Sequence, residues 1–337
     1  MCDKLFNSEN LIKKYSELPI DSILLEMTTR CNKNCSYCYG GFNQGGKDIS
    51  NEVLKSIYNF ISENNVKHVS ISGGEPLLYA NLDDILDHLT YLGCNIEIIT
   101  NGLLVDKNAS LFLGRSNLKL KISADIHNVQ YIEIIKKVQE YKIPLALNIT
   151  IYGLEPIESI TRYIRDLYNI SGITVNVNFP FFKGNAEFSN NYVEYLPNLA
   201  VKLVELFLFE KLPVEGQFVS VPVDNYFSPK RSVYKNCTIC KSLKIDVNGN
   251  YFPCPYFTNS KYCMGNVSCG GINNELCLRT MEESFSQSKN EGCLKCRWYA
   301  ICSGGCLAAK ETHPKHDYSC VVSSKVYDYL NSIFGRY

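Results

Sequence analysis

The chain has no apolar run approaching the roughly 18 residues that a membrane-spanning helix requires, so a helical membrane protein is excluded. It also lacks net charge. Its 34 Lys and Arg balance 34 Asp and Glu over 337 residues, so no global field draws it toward nucleic acid. The first ten residues, with Asp3, Lys4 and Glu9, lack the apolar core of an export signal, and a cytoplasmic protein is expected. Basic runs stop at pairs such as Lys13–Lys14, which read as solvated surface. Present in quantity are apolar residues, at 45%, enough for a sizeable core, and sixteen cysteines. In an unexported chain, that many thiols point to metal rather than disulfides.

Residues 20–182 alternate strand and helix signals. Apolar runs read as strands at Ile23–Met27, Val66–Ser72, Ile96–Thr100, Leu118–Ser123, Pro144–Ile151 and Ile173–Phe179. Helical spacing fills Asn51–Ile61, Leu82–Leu92, Val129–Tyr141 and Pro156–Tyr168, with Pro156 expected in a first turn. Six such repeats imply parallel strands with right-handed crossovers. A closed eight-unit barrel needs about 250 residues, so the expected fold is α/β, a partial (β/α)6 TIM-like barrel over residues 20–212. Asn190–Phe209 reads as a sixth helix and Lys211–Arg231 as an irregular linker. Residues 1–19 then form an N-terminal extension, and 213–337 a linker followed by a cysteine-rich domain.

Cys31, Cys35 and Cys38 form a C-x3-C-x2-C run just past the first strand, with Tyr37 before the third thiol. Three thiolates on one loop can hold three irons of a four-iron cluster and leave the fourth open to a ligand. The alternative, structural zinc, normally pairs C-x2-C with a second pair, and none lies nearby. Further on, Gly73-Gly74-Glu75-Pro76 follows the second strand, Asn101 the third, Ser123 and Asp125 the fourth, and Asn178 the sixth. Ligand-binding residues of α/β barrels gather at such strand ends. Asn101 and Ser123 also suit plain turn capping.

These motifs, in this order, resemble the radical S-adenosylmethionine (SAM) enzymes. The resemblance implies a SAM-binding [4Fe-4S] cluster on Cys31, Cys35 and Cys38. It implies that Gly73, Gly74, Glu75 and Pro76 hold the methionyl amino group, with the Glu75 carboxylate against the ammonium. Tyr37 is placed near the adenine, and Asn101, Ser123, Asp125 and Asn178 are further cofactor-binding positions. His127 is either pocket lining or a cap, and Gly184-Asn185-Ala186 resembles a structural turn of the family.

Residues 237–320 carry eleven of the sixteen cysteines, and such a segment is poorly stable without metal cross-links. Cys237-x2-Cys240 precedes Cys254, with Gly249 between them in a Val-Asn-Gly-Asn hairpin turn; Cys293-x2-Cys296-x5-Cys302-x3-Cys306 and Cys320 follow. This resembles the SPASM extension of radical SAM enzymes. The resemblance assigns Cys237, Cys240, Cys254 and Cys306 to a first auxiliary [4Fe-4S] cluster, with Cys263 or Cys269 as possible substitutes for a ligand. Cys293, Cys296, Cys302 and Cys320 go to a second. Two zinc sites are the rival. Cys2, Cys94, Cys263, Cys269 and Cys277 read as inert thiols, and the His313–His316 pair beside Pro314 as a solvated loop.

The implied activity is generation of a 5′-deoxyadenosyl radical to modify a ribosomally made peptide or protein. The product would be a thioether, a carbon–carbon crosslink, an epimer or an oxidised residue. The implied partners are a precursor peptide or protein and a reductase, flavodoxin or ferredoxin as electron donor. Only about 20 residues precede the first strand, too few for a folded leader-binding domain, so a separate leader-binding protein or direct leader binding is expected. Neither nucleic acid nor membrane is expected as a partner. An anaerobic sulfatase maturase, which makes formylglycine, is the main alternative. Such enzymes place an aspartate directly after the third cysteine of the first auxiliary group, where this chain has Pro255, leaving Asp246 or Glu275 as the base. Small-molecule enzymes such as the molybdenum-cofactor cyclases lack the later cysteines and end Gly-Gly, unlike Phe334-Gly335-Arg336-Tyr337. A non-enzymatic iron–sulfur electron carrier would have no use for Glu75.

Overall fold

The computed structural model describes residues 19–38, 40–42, 45–128, 130–179, 190–228, 239–257, 259–286, 291–302, 306–308 and 318–337. The chain is of the α/β class, a partial barrel of parallel strands with helices between them, as the sequence rhythm predicted. It divides into two compact units. One comprises residues 1–34, 40–98 and 238–290, the other 35–39, 99–237 and 291–337.

In the first unit, β1 (Ser22–Thr28) lies between β2 (His68–Gly73) and β8 (Ser242–Ile245), parallel to both. β3 (Asn95–Thr100) extends the sheet beyond β2, and β9 (Tyr251–Phe252) folds back antiparallel on β8. The β8–β9 turn is the hairpin expected around Gly249, whose φ of +81° suits glycine. Asp246 organises it, its Oδ1 accepting from the N–H groups of Asn248 and Asn250 at 2.8 and 2.9 Å. Helix α1 (Asn51–Glu63) starts where the Ser50 hydroxyl accepts from Val53 N–H, and buries Leu54, Ile57, Phe60 and Ile61. α2 (Leu82–Tyr91) buries Ile85, Leu86 and Leu89 in the same way. The spacing of these residues puts them on one stripe facing the sheet.

The second unit orders β4 (Leu118–Ala124), β5 (Leu145–Thr150), β6 (Val175–Asn178) and β7 (Val214–Glu215) side by side, all parallel. α3 (Gln130–Glu140), α4 (Ile157–Ser171) and α5 (Asn190–Leu208) connect or follow them. Pro156 stands at the cap of α4, one residue before the first turn, and Gly172 ends that helix in the left-handed conformation at φ +63°. The stretch read as an irregular linker contains β7 and a helix, α6 (Ser220–Phe227). Pro222 is its third residue, where a missing N–H costs nothing, and Pro222, Val223 and Tyr226 supply a buried face. α7 (Asn274–Ser286) belongs to the first unit, while α8 (Glu291–Leu294), α9 (Tyr299–Cys302) and α10 (Tyr318–Phe334) belong to the second. α10 packs on α5 and α6 through Tyr329 Oη to Glu205 at 2.9 Å and Tyr226 Oη to Asn331 at 3.1 Å. No helix among the described residues is long and apolar enough to cross a membrane.

Candidate active site

In the first unit the chain leaves β1 through Thr28, Thr29 and Arg30 to reach Cys31. The Gly73–Pro76 turn is stitched to this exit. Gly74 N–H donates to Thr28 O at 2.7 Å and Glu75 N–H to Arg30 O at 2.8 Å. A Cβ on Gly73 would stand 2.3 Å from the Thr28 oxygen, and one on Gly74 2.0 Å from the Arg30 oxygen. Two glycines are therefore demanded by backbone-to-backbone approach, and Gly73 by its φ of +123° as well. Glu75 is fully buried, and its Oε1 accepts from Leu77 N–H at 3.1 Å, capping the short 3-10 turn Pro76–Leu78. Arg30 grips Asp48 through two hydrogen bonds of 2.9 and 2.6 Å and donates to Leu78 O at 3.0 Å. Asp48 also accepts from the Thr28 hydroxyl at 2.6 Å. A bidentate guanidinium thus fixes both loops that flank Cys31, a geometry lysine cannot supply. The Cys31 sulfur is half-buried and accepts from Lys33 N–H at 3.4 Å.

In the second unit Cys35 and Cys38 are half-buried across a tight turn, with Cys38 N–H donating to Cys35 O at 3.1 Å. Tyr37, inside that turn, has its ring 4.5 Å from that of Tyr152. Burial pushes the Tyr37 phenol well above its usual range, and the neighbouring Cys35 and Asp125 push it the same way. Tyr152 also meets His127 edge-on at 5.7 Å. His127 Nε2 lies 2.9 Å from Glu155 Oε1, while Glu155 Oε2 is buried without a hydrogen-bond partner. Tyr195 Oη donates to the Glu155 carbonyl at 2.6 Å. Tyr152 and Glu155 were not singled out in the sequence, although both lie just past the end of β5. The same strand-end rule that selected Ser123 and Asn178 would have found them.

Asn101 and Asp125 serve their own turns. Asn101 Oδ1 accepts from Leu103 N–H at 3.1 Å, and Asp125 Oδ1 from His127 N–H at 3.1 Å. Ser123 and Asn178 are half-buried on β4 and β6, in register with Asn148 and Thr150 of β5. Gly102, at φ +81°, brings its backbone against Ile122 and Ile134.

The cysteine-rich segment is distributed over both units. In the first, Cys240 is buried at a strained φ of +60°, its N–H donating to Pro253 O at 2.6 Å. Its sulfur lies 4.0 Å from Met264 Sδ and 3.7 Å from the Cys277 carbonyl oxygen. A hydrogen bond between the two thiols, with burial adding to it at Cys240, pushes Cys240 up and Cys277 down. Cys254 is half-buried, and its charge also acts on Cys240. Cys94 is buried with its sulfur 3.6 Å from Val66 O. Cys263 contacts Gly265 O at 3.5 Å, and Cys269 is exposed.

In the second unit Cys293, Cys296 and Cys302 sit half-buried on successive turns, with Cys296 N–H donating to Cys293 O and Cys302 N–H to Trp298 O. Cys306 is half-buried and Cys320 exposed on α10. Trp298 anchors this stretch through Nε1 to Asp328 at 2.8 Å. Cys2, Cys237, the His313–His316 pair and Gly184–Asn185–Ala186 lie outside the described residues. Among the described residues, no three His, Cys, Asp or Glu side chains already stand in a metal-holding arrangement. The candidate donors are all sulfur, most of them half-buried, with Cys240 buried and Cys320 exposed, a donor chemistry that fits thiolate-bound iron. The buried Glu75 carboxylate has the charge to pair with a cationic group.

Residues 25–167 match the family model of the Radical SAM superfamily. A cysteine-type anaerobic sulfatase-maturating enzyme of Clostridium perfringens (strain 13 / Type A) is 22% identical over 92% of this chain and 96% of its own length. The radical SAM cyclopropyl synthase TigE of Paramaledivibacter caminithermalis is 26% identical over 91% of this chain and 74% of its own. Among solved structures, native anSMEcpe with bound AdoMet and Cp18Cys peptide superposes with a TM-score of 0.74 at 18% identity, covering 93% of this chain and 97% of that one.

Proposed function

We propose that this chain, an enzyme of the radical SAM superfamily, modifies a ribosomally made peptide or protein. The observation that carries the reading is the stitching of the Gly73–Pro76 turn to the exit of β1, at 2.7 and 2.8 Å, beside the loop that begins with Cys31. Cys31, Cys35 and Cys38 would hold the SAM-binding cluster. When bound, cluster and SAM supply a 5′-deoxyadenosyl radical able to take hydrogen from an unactivated carbon. Glu75 would pair with the methionyl ammonium while keeping its cap on Leu77. Gly73 and Gly74 let the turn lie against the exit of β1, which sets Glu75 for that role. Tyr37 would pack against the adenine, backed by Tyr152. Asn101, Ser123, Asp125 and Asn178 complete the polar strand ends that would orient it and exclude water.

A peptide substrate is supported by the 93% overlap with a solved structure that contains AdoMet and a peptide. Two auxiliary [4Fe-4S] clusters, on the cysteines after residue 236, belong to the same proposal, as do a protein electron donor and a leader-binding partner. Sulfatase maturation is the second reading, favoured by the full-length match to the Clostridium enzyme. Pro255, where such enzymes carry aspartate, weighs against it.

The test is anaerobic incubation of reconstituted protein with SAM, a reductant and two peptides in parallel. One is a short precursor encoded beside the gene; the other carries a sulfatase Cys or Ser motif. A mass change on the first, with 5′-deoxyadenosine released in step, supports the proposal. On the second alone, a loss of two hydrogens from the Ser form, or from the Cys form a loss of two hydrogens together with exchange of sulfur for water oxygen, selects the maturase. Deoxyadenosine unaffected by either peptide would reject both.

A further inference from the structure

His127 and Glu155 form a titratable pair that no step above uses. Both stand just past strand ends of the second unit, His127 after β4 and Glu155 after β5, with Nε2 and Oε1 2.9 Å apart. Their backbones are pinned from three sides. Asp125 Oδ1 accepts from His127 N–H at 3.1 Å, Tyr195 Oη of α5 donates to the Glu155 carbonyl at 2.6 Å, and Pro156 follows at the cap of α4. Gly153 clears the way for the carboxylate, since a Cβ there would stand 2.4 Å from Glu155 Oε1.

The pair is asymmetric. The Glu155 side chain is 13% exposed and that of His127 50%. Glu155 Oε1 faces the imidazole, while Oε2 is buried without a hydrogen-bond partner. Among the described residues no Lys or Arg pairs with this carboxylate. A carboxylate only accepts, so Nε2 carries the hydrogen and Nδ1 keeps its lone pair. The ring makes no other hydrogen bond among the described residues, which leaves Nδ1 available to another molecule. A buried carboxylate that orients an imidazole, and faces the positive charge it gains, is the arrangement of a general base. Tyr152 meets His127 edge-on at 5.7 Å and lies 4.5 Å from Tyr37 in the Cys35–Cys38 turn. A short aromatic path thus joins the imidazole to the cysteine turn within one unit.

We propose that His127 is the general base of the peptide modification, with Glu155 as its positioning residue. The assignment rests on the radical SAM peptide-modifying reading above and narrows it to products that lose two hydrogens. His127 Nδ1 takes the proton of a substrate S–H, N–H or O–H bond, whose electron pair stays on the heteroatom that then bonds to carbon. The other hydrogen leaves carbon as an atom and ends in 5′-deoxyadenosine, and the one surplus electron goes to an oxidised iron–sulfur cluster. Epimerisation, which returns a hydrogen to carbon, has no use for the pair.

The experiment compares reconstituted wild type, His127→Gln, Glu155→Gln and the double variant on the precursor peptide, counting modified peptide per 5′-deoxyadenosine released. The ratio should fall about a hundredfold in His127→Gln, the usual worth of a general base. It should fall in Glu155→Gln as well, and no further in the double variant than in His127→Gln, because a carboxylate that acts through the imidazole has nothing left to lose. Additive losses would overturn the positioning role. A wild-type ratio in His127→Gln would overturn the proposal and leave the peptide reading standing, whereas no modified peptide from wild type overturns both. A second measurement needs neither turnover nor a folded variant. Wild-type chain is labelled with diethyl pyrocarbonate, with and without the peptide, and its histidines are followed by mass spectrometry. The peptide should shield His127, while exposed His68 is labelled in both states. Equal labelling of His127 in both states would refute the assignment.

Discussion

Glu26 of β1 and Lys244 of β8 face one another across neighbouring strands at 3.6 Å, with their side chains only 8% and 3% exposed. The Lys244 ammonium also stands 4.6 Å from the centre of the Phe252 ring on β9. A charge pair this far from water is weak evidence of net stabilisation, but removing one member strands the other.

Lys244→Met is therefore expected to cost roughly 3–5 kcal/mol in denaturant unfolding. The double variant Glu26→Leu with Lys244→Met should recover most of that loss, because two apolar residues leave no buried charge. A single variant within about 0.5 kcal/mol of wild type would show that the pair is not buried in solution.

Glu75→Gln isolates the carboxylate's charge, since glutamine keeps an oxygen to accept from Leu77 N–H. SAM affinity by calorimetry should fall about ten- to a hundredfold, the worth of one charge-assisted hydrogen bond of roughly 1.5–3 kcal/mol. The iron content should stay at its wild-type value. Unchanged affinity in a folded, iron-loaded variant would remove Glu75 from the SAM site.

Gly74→Ala places a Cβ 2.0 Å from the Arg30 carbonyl oxygen, so the turn must separate from the β1 exit. SAM binding should be lost by well over tenfold, the equivalent of about 1.4 kcal/mol. Gly271→Ala, with nothing within 4 Å of the added carbon, serves as the control and should stay within about 0.5 kcal/mol of wild-type stability.

Replacing Cys31, Cys35 and Cys38 by alanine should abolish SAM cleavage and lower iron by about four per chain, from about twelve in the fully loaded protein. The loss of more than one cluster's worth of iron in this variant would mean that the thiol groups do not load independently.

Much of the fold was legible because its code is local. The six barrel strands advertise themselves as apolar runs with turn residues at their ends, and Ile57, Leu86 and Ile164 fall on helical stripes. The strand-end rule then selected positions such as Gly73 and Ser123. α6 was not legible, because Pro222 and its valines look like linker until the proline is seen to occupy a helix's first turn. Nor was the Cys240–Cys277 contact, which depends on where α7 docks. Glu155 was passed over although it lies just past the end of β5, where the strand-end rule points. Only the structure shows its Oε1 against His127 and its second oxygen unpartnered.

β1 has its two neighbours at very different distances along the chain: His68 pairs with Ser22 on one side and Ser242 on the other. During synthesis the first strand therefore emerges, pairs with β2, and must wait some 220 residues for the second partner, as in the Ser22–Ser242 hydroxyl contact. Until then its outer hydrogen-bonding edge is open, and open edges invite pairing with other chains. Closing so long a loop is also slow. A ribosome stalled or a message truncated before residue 242 would release a chain that holds Cys31, Cys35 and Cys38 yet aggregates through the strand that carries them. Folding of the strand that leads into the first cysteines is thereby tied to completion of the last third of the polypeptide.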